Sequence, residues 1–571
     1  MEIPFSSSFI KKINSVSNLH KTLSPERVLV FWILITLSAL SFFAALVSIN
    51  TKYLISVPSY GGKISEGIIG TPRFINPIFA STEQDKDLTM LVFAGLTKKG
   101  VDGSVVLDLA ESINLSDDGL KYNVFIKENA SFHNGDDVTS DDIIFTIDKV
   151  QNPLIKSPHR VEWEGVTVER ISDKELSFLL KRPYPLFIET LSLGVLPKNV
   201  WRDLTDEQIS LSDLNIKAIG SGPYKIDSIE NTSGIPTKFI LSAHDDYTLG
   251  RPFIETIEIS TYQNEKYLLK ALEDKDIQRA HGVSLQKINT LGIASTSIQT
   301  SLLPRTFSIF FNPNKSSPLA DKRVREALRL AVDKERIVTE VLSGYGTVVS
   351  SPYPFDQNQI KTEYNIDKAR KLLQENKTVR ESASSTFSVS LITANTEEMR
   401  KVAEILKSDW EKIGVIATVK IYDVSDLNQN VIKDRDFEIL LFGAITQTPA
   451  DLYAFWHSSQ RAYPGLNISN YVSKSLDEQL EILRTSISQE EREAAYSAIR
   501  EEFAEEVPGI FLFAPSLIYI TNDKVTTTLP TFSYDNSSRF TLVQDWHRYT
   551  DKVWPRTYHK LLLEKIQNII H

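Results

Sequence analysis

Apolar positions follow three different patterns along the chain, and each predicts a different kind of element. From Val28 to Ile49 the sequence VLVFWILITLSALSFFAALVSI carries no charge over 22 residues, which as a helix would cover about 33 Å, enough to span a bilayer. No later run is comparable in length, so the chain is no channel or permease by itself. Beyond it, Ile55–Gly62 (ISVPSYGG) has the Ser, Pro and Gly content of a tether, and folding is expected to begin at Lys63. Lys121–Lys127 (KYNVFIK) alternates polar and apolar residues as a half-buried strand does, and Asn134-Gly135 follows as a turn. Thr139-Ser140-Asp141-Asp142 places a threonine three residues before a carboxylate, the spacing of a capping box, ahead of Ile143-Ile144-Phe145.

The middle of the chain alternates in type. Phe307–Asn312 reads as a strand, and Asp321 caps a helix whose apolar Val324, Leu328, Ala331 and Val332 share a face until Gly344 ends it. Phe387–Thr393 is a strand. Glu397–Ile413 is a helix with Met399, Val402, Leu406, Trp410 and Ile413 on one side, which makes Trp410 a core residue, and Gly414 ends it. Val415–Tyr422 and Phe437–Gly443 are strands again, so the order argues for a βαβ unit on a mainly parallel sheet. Glu375–Thr386 has the composition of a loop, and no internal repeat occurs.

Charge and composition narrow the partners. With 63 basic against 73 acidic residues the net charge is -10, which leaves no positive field for nucleic acid. Cysteine is absent, which removes disulfides, thiolate metal sites, cysteine nucleophiles and a lipidated cysteine anchor. The apolar run exceeds the centre of a cleaved signal peptide and lacks an Ala-x-Ala site after it, so it is expected to be retained. Lys11, Lys12, Lys21 and Arg27 precede it and only Lys52 follows closely. The positive-inside rule therefore predicts a single-pass protein of the cell membrane with a cytoplasmic amino terminus and an extracytoplasmic bulk.

Catalytic motifs are missing. The 9 histidines are scattered, and no His-Glu-x-x-His, Gly-x-Ser-x-Gly, Walker or Gly-x-Gly-x-x-Gly sequence occurs, so no enzyme, metal or cofactor is expected. His133-Asn134-Gly135-Asp136-Asp137 has the wrong spacing for a calcium loop and reads as a solvated turn. Tyr453, Phe455 and Trp456 follow a strand end, where sheet proteins commonly bind ligands.

Several blocks, in order, resemble the extracytoplasmic solute-binding proteins of oligopeptide, dipeptide and nickel uptake ABC transporters. They are Leu109–Val150, with its LAES, DG and FHNG segments; Gly220–Lys225 (GSGPYK); Phe311-Asn312 with Ala320–Leu328 (ADKRVREAL); Asp367–Leu373 with Lys412–Val415; and Asn467–Asp477 with Glu491-Arg492 and Pro508–Ile510. Gly220 and Gly222 are read as turn formers, and Asp321, Arg323 and Arg325 as a cap and a solvated helix face. The resemblance implies an α/β fold of two lobes with crossing strands, a type II periplasmic-binding-protein-like architecture with an extra subdomain, preceded by one transmembrane helix. Its boundaries would be a cytoplasmic segment 1–27, an anchor 28–49, a tether 50–62, lobe I 63–304 including a subdomain at about 82–205, lobe II 305–512, and a return to lobe I with a C-terminal helix over 513–571.

The resemblance also implies a monomer that captures a peptide or peptide-like solute by hinge closure and delivers it to permease subunits; a sensor or assembly factor on the same scaffold, or an anchored hydrolase, is the alternative. By position the ligand-facing strand of lobe I would be Gly70–Phe74, contributing Thr71, Arg73 and Phe74. Lobe II would contribute Thr446, Gln447 and Asp451, with Tyr453 and Trp456 as walls. Here the chain departs from the pattern: Ala444 and Gln447 stand where peptide-binding members place a tryptophan and an ammonium-pairing aspartate, so Asp451 is the nearest carboxylate for a ligand's amino terminus.

Overall fold

The computed structural model describes residues 24–291, 297–376 and 387–555. The basic Lys11, Lys12 and Lys21, most of the loop at 375–386 and the expected C-terminal helix lie outside these. The described residues divide into two compact units, 24–59 with 550–555, and 60–549.

In the first unit the helix Pro25–Tyr53 contains the uncharged run, and Pro25–Ser48 is long and apolar enough to cross a membrane, with mean hydropathy 2.4. The expected tether is partly a strand. β1 (Ile55–Ser59) pairs with β20 (Tyr549–Val553). Its Ile-Ser-Val-Pro-Ser alternation suits an edge, where Pro58 forfeits no needed ladder bond.

The second unit holds a twelve-stranded sheet path whose two halves are the sheets of two lobes. In the first lobe β2 (Lys63–Ile69) lies parallel to both β11 (Thr256–Tyr262) and β12 (Arg279–His281), and the hairpin of β9 (Tyr224–Thr232) and β10 (Ile235–Ala243) continues antiparallel from β11. A separate four-stranded sheet hangs from this lobe. It comprises β5 (Ala110–Leu115), β6 (Lys121–Ile126), β7 (Thr167–Arg170) and β8 (Glu175–Leu179) in the order β5-β6-β8-β7, beside the short pair β3 (Thr97–Lys99) and β4 (Val105–Leu107). The Thr139 cap forms as the spacing predicts, with the Thr139 amide and hydroxyl both donating to Asp142 Oδ2 at 2.9 and 2.7 Å.

In the second lobe β14 (Arg305–Phe311) pairs antiparallel with β18 (Ile439–Ile445). β16 (Phe387–Ala394) runs parallel to β18 and to β17 (Val415–Tyr422). The period of two sorts the side chains: Ile309, Phe311, Ile439 and Leu441 enter one core, Phe310 and Leu440 the core on the opposite face. The single helix expected after Asp321 is two, Lys322–Leu330 and Lys334–Leu342, because Asp333 caps the second by accepting the Arg336 amide at 3.0 Å. Trp410 is fully buried, its Nε1 donating to Leu328 O at 3.1 Å. Arg325 is not on a solvated face. Only 6% exposed, it donates to the carbonyls of Val507, Leu319, Ala320 and Glu506 and ties its helix to the end of helix Gln489–Glu506. Arg323 is exposed and pairs with Asp321.

Two passages join the lobes. β13 (Ile298–Leu302) continues through Leu303-Pro304 into β14, and β19 (Gly509–Thr521) belongs to both sheets. Up to Pro515, β19 pairs with β14 and with β15 (Gly346–Val348); from Ser516 it pairs with β13 and β12. The chain after β19 returns to the first lobe, where Arg539 donates to Glu66 Oε1 at 2.7 Å and to both oxygens of Asp87, and Tyr519 Oη donates to Glu66 Oε2 at 2.6 Å, all without solvent exposure. Burial alone would raise the Glu66 carboxyl, but Arg539, His281 and Tyr519 more than offset it and hold it at about 2.

The Gly220–Lys225 block has a different role from a turn. Neither glycine has a positive φ, and a Cβ on Gly220 would stand 2.0 Å from Val92 O, one on Gly222 2.6 Å from Val92 C. These glycines admit the end of helix Glu83–Val92, with the Gly222 amide donating to Val92 O at 2.9 Å. His133 braces the block: Nε2 meets Gly222 O at 3.0 Å and Nδ1 accepts the Gly220 amide at 3.3 Å. The FHNG turn therefore acts through its histidine, and only Asn134–Asp137 are solvated.

Candidate functional site

The segment leaving β18 passes directly from a sheet edge to the meeting of the two lobes. The Thr446 amide donates to Pro304 O at 2.9 Å and its hydroxyl to Pro352 O at 2.8 Å, so this 1%-exposed residue braces the first interlobe passage instead of facing a ligand. Next, the amides of Gln447 and Thr448 donate to Asp451 Oδ2 at 2.7 and 2.9 Å, fixing the carboxylate at the start of helix Leu452–Trp456. The Gln447 side chain is exposed. Burial raises the Asp451 carboxyl, opposed by the two amides and by the charge of Lys99.

The short helix then separates its aromatics by direction. Trp456, 2% exposed, stacks on Phe310 with centroids 5.8 Å apart and packs on Phe503 at 4.9 Å. It is core, a correction to the wall expected from the sequence, because it projects onto the inner face of β14. Tyr453, three residues earlier, is half-buried between the ring of His457 at 4.2 Å and the guanidinium of Arg484 at 4.6 Å. Tyr453 and Phe455 are both half-buried, in contrast to Trp456.

On the first lobe the expected strand at Gly70–Phe74 is a loop; β2 ends at Ile69. The Arg73 and Phe74 amides, which an extended ligand would need, both donate to Asp85 Oδ1 at 2.7 and 2.9 Å. Asp85 is 1% exposed, so these donors are spent inside the fold. Thr71 is half-buried, and Arg73 is exposed, 5.8 Å over the Phe74 ring. Among the described residues no hydrogen bond, ion pair or ring contact joins Thr71–Phe74 to Thr446–Trp456.

Other residues of the first lobe meet the second lobe at Phe355. Lys99, at the end of β3, pairs with Glu189 and lies 4.4 Å from the centroid of the Tyr534 ring. Tyr534 donates to Gly103 O at 3.0 Å and reaches Phe355 of the second lobe at 6.4 Å; Phe355 in turn packs on Phe532 at 4.5 Å. Tyr353 makes an edge contact with Phe355 at 5.4 Å. Burial raises the phenols of Tyr184, Tyr353 and Tyr534, and the negative charges of Glu189 and Asp451 add to that effect at Tyr184 and Tyr353. The seam therefore carries Lys99, Glu189, Tyr184 and Tyr534 on one side and Asp451, Tyr353, Tyr453 and Arg484 on the other.

None of the first four was singled out by the sequence. The available signal was aromatic spacing: Tyr353-Pro-Phe355 and Phe532-Ser-Tyr534 are both i, i+2 pairs, and they are the pairs that touch across the lobes.

The comparisons with known proteins cover most of this architecture. The description "Bacterial extracellular solute-binding proteins, family 5 Middle" matches residues 104–463. The oligopeptide-binding protein AppA of Bacillus subtilis is 29% identical over 479 residues, covering 80% of this chain and 87% of AppA. Its structure in complex with a nonapeptide aligns with TM-score 0.61 at 27% identity, over 86% of this chain and 99% of that one. The ABC transporter substrate-binding protein CtaP of Listeria monocytogenes aligns with TM-score 0.73 at 25% identity, over 86% and 99%. The murein tripeptide-binding protein MppA in its unliganded open form aligns with TM-score 0.71 at 17% identity, over 87% and 99%, a likeness of fold.

Proposed function

Since the chain belongs to the bacterial extracellular solute-binding proteins, family 5, which bind solutes and are not enzymes, we propose that it is a membrane-anchored receptor that captures peptides between its lobes and hands them to an ABC permease. The observation that carries this reading is the apposition at the seam. Two lobes joined through Leu303-Pro304 and Pro515-Ser516 bring polar and aromatic side chains to face one another, with Phe355 of the second lobe against Phe532 and Tyr534 of the first. Motion about such passages opens and closes a cleft without breaking either sheet.

A peptide is favoured because AppA, a relative over most of its length, is an oligopeptide-binding protein whose structure is in complex with a nonapeptide. The donors on the first lobe are then to be sought at the seam, not at Arg73 and Phe74. The helix Pro25–Tyr53 would hold the receptor to the membrane with its amino terminus in the cytoplasm.

The test is native mass spectrometry of the full chain purified from membranes in detergent. Retained peptides that leave on unfolding, on a chain whose intact mass includes residues 1–49, support capture and anchoring together. A truncated mature mass would refute the anchor alone. An empty chain that also gives no calorimetric heat with mixed di- to octapeptides would refute peptide capture.

A further inference from the structure

Phe355 belongs to the second lobe and is buried by the first. It is 7% exposed, and its ring meets Phe532 at 4.5 Å and the edge of Tyr534 at 6.4 Å, both on the chain that has returned to the first lobe. Among the described residues it joins the core of neither lobe. A large apolar ring that becomes dry only where two bodies meet is a contact between those bodies.

Each partner in this contact is anchored close to the place where the chain crosses between lobes. On the second lobe the tip Tyr353-Pro354-Phe355 stands between two held residues. Pro352 O accepts the hydroxyls of Thr306 at 3.2 Å and Thr446 at 2.8 Å, and Asp356 accepts Tyr496 Oη at 3.1 Å and Arg500 Nη1 at 3.0 Å from helix Gln489–Glu506. At the base of the same loop the buried Lys334 donates to Val349 O at 3.0 Å. On the first lobe Phe532 forms a bridge with Leu302, the Ser533 amide donates to Leu302 O at 2.9 Å, and Tyr534 Oη donates to Gly103 O.

Leu302 and Thr306 stand on the two sides of Leu303-Pro304. The Leu303 amide donates to Pro515 O at 3.1 Å, which ties the two passages together. The socket is therefore fixed to one side of the crossing and the Phe355 knob to the other, so rotation at the crossing must turn the ring of Phe355 against those of Phe532 and Tyr534. Aromatic pairs hold at both tilted and edge-on angles over about 4.5–7 Å, and the rings stay in contact as they turn. Withdrawing Phe355 would expose it to water.

We propose that Phe355 is the bearing of the interlobe joint: seated on Phe532 and Tyr534 in the open and the closed receptor, it confines the lobes to one rotation and so positions the two halves of the cleft for capture. The role in capture rests on the reading of the protein as a peptide receptor; the joint itself does not.

Two measurements on the full chain in detergent test it, the first without ligand. The sequence holds 0 cysteines, so Lys266→Cys and Glu404→Cys, both at exposed positions of opposite lobes, take spin labels at these sites only. Pulsed electron paramagnetic resonance should give an interlobe distance distribution about twofold wider in Phe355→Ala than in the parent, because lobes freed from the joint sample more orientations. Phe532→Ala should widen it as much and the double variant no further, since both remove one contact; Phe532→Ala carries the test should Phe355→Ala not fold. Phe355→Leu, which refills the socket with an apolar side chain, should recover most of the parent's narrow distribution. Trp456→Ala removes a core ring of the second lobe alone and should leave the width unchanged. An unchanged width in the variants at positions 355 and 532, or equal widening in Trp456→Ala, overturns the proposal.

The second is calorimetry with mixed di- to octapeptides. Phe355→Ala should weaken every peptide that the parent binds by the same factor, about fivefold, since fewer molecules hold the competent arrangement. Tighter binding would make Phe355 a plug in the ligand's place, and a changed order of preference would make it a wall of the cleft; either overturns the proposal, as does unchanged affinity. A parent that binds no peptide of the set refutes the peptide reading, and the distance measurement still decides the joint.

Discussion

Acid should weaken the first lobe through one histidine, by an amount that can be worked out. His133 sits against the Gly220–Gly222 backbone and 4.9 Å from the ring of His244, and burial lowers its pKa from 6.5 to about 3. The native state therefore keeps the ring neutral while the unfolded chain takes up a proton below about 6.5. Stability from this group is whole above that value and falls as the pH drops toward 3, at about 1.36 kcal/mol per unit. From pH 6.5 to pH 5 the loss is about 2 kcal/mol.

His133→Gln keeps an acceptor for Gly220 and a donor for Gly222 but has no proton to gain. Urea unfolding followed by tryptophan fluorescence at pH 7, 6 and 5 should show the variant less stable than the parent at pH 7 and closing that gap by about 2 kcal/mol at pH 5. Both proteins carry His244→Gln, which removes the neighbouring ring whose charge acts on His133, and the remaining histidines then cancel in the difference. Parallel acid loss in parent and variant would show that His133 is protonated in the native state and refute the reasoning.

Gly220→Ala should cost about 3 kcal/mol or more, because its Cβ would stand 2.0 Å from Val92 O and backbone, not a flexible side chain, has to move; thermal unfolding with a loss below 1 kcal/mol would contradict the close approach. Trp456→Ala should cost about 3–5 kcal/mol by denaturant titration, as expected of a core aromatic. Tyr453→Ala, half-buried, should cost about 1 kcal/mol and instead weaken peptide binding about tenfold by calorimetry, and equal effects of the two variants would erase the distinction between core and wall. Arg325→Met, which leaves four backbone carbonyls without their donor, should cost about 3–5 kcal/mol in the same titration; Arg323→Met should stay within about 0.5 kcal/mol.

What the sequence revealed follows from how local each cause is. The uncharged helix, the Thr139 cap, the alternation of β14 and the apolar face that buries Trp410 depend on neighbours a few positions away, and all of them form. The break after Leu330 was missed because the apolar face runs on through Ala331 and Val332, and only the capping by Asp333 shows that a new helix starts. Arg323 and Arg325 look alike in sequence, yet one is exposed and the other is 6% exposed, a difference set by the end of a helix more than 180 residues later. The site was partly legible for the same reason. Asp451 and Tyr453 follow a recognisable strand, whereas Lys99 and Glu189 meet through the packing of β3 on the segment at 188–191, and Tyr534 reaches Lys99 and Phe355 only through the return of the chain after β19. The Gly70–Phe74 segment is a loop because Asp85, at the Thr-x-x-Asp spacing of the helix start after Thr82, takes its amides.

The central claim is capture of a peptide by closure of two lobes. The distance between spin labels at Lys266→Cys and Glu404→Cys, measured on the full chain before and after addition of a peptide shown by calorimetry to bind, tests it most directly. The account predicts a shift to a shorter, narrower distribution on binding; a bound peptide with no change in that distance would contradict it.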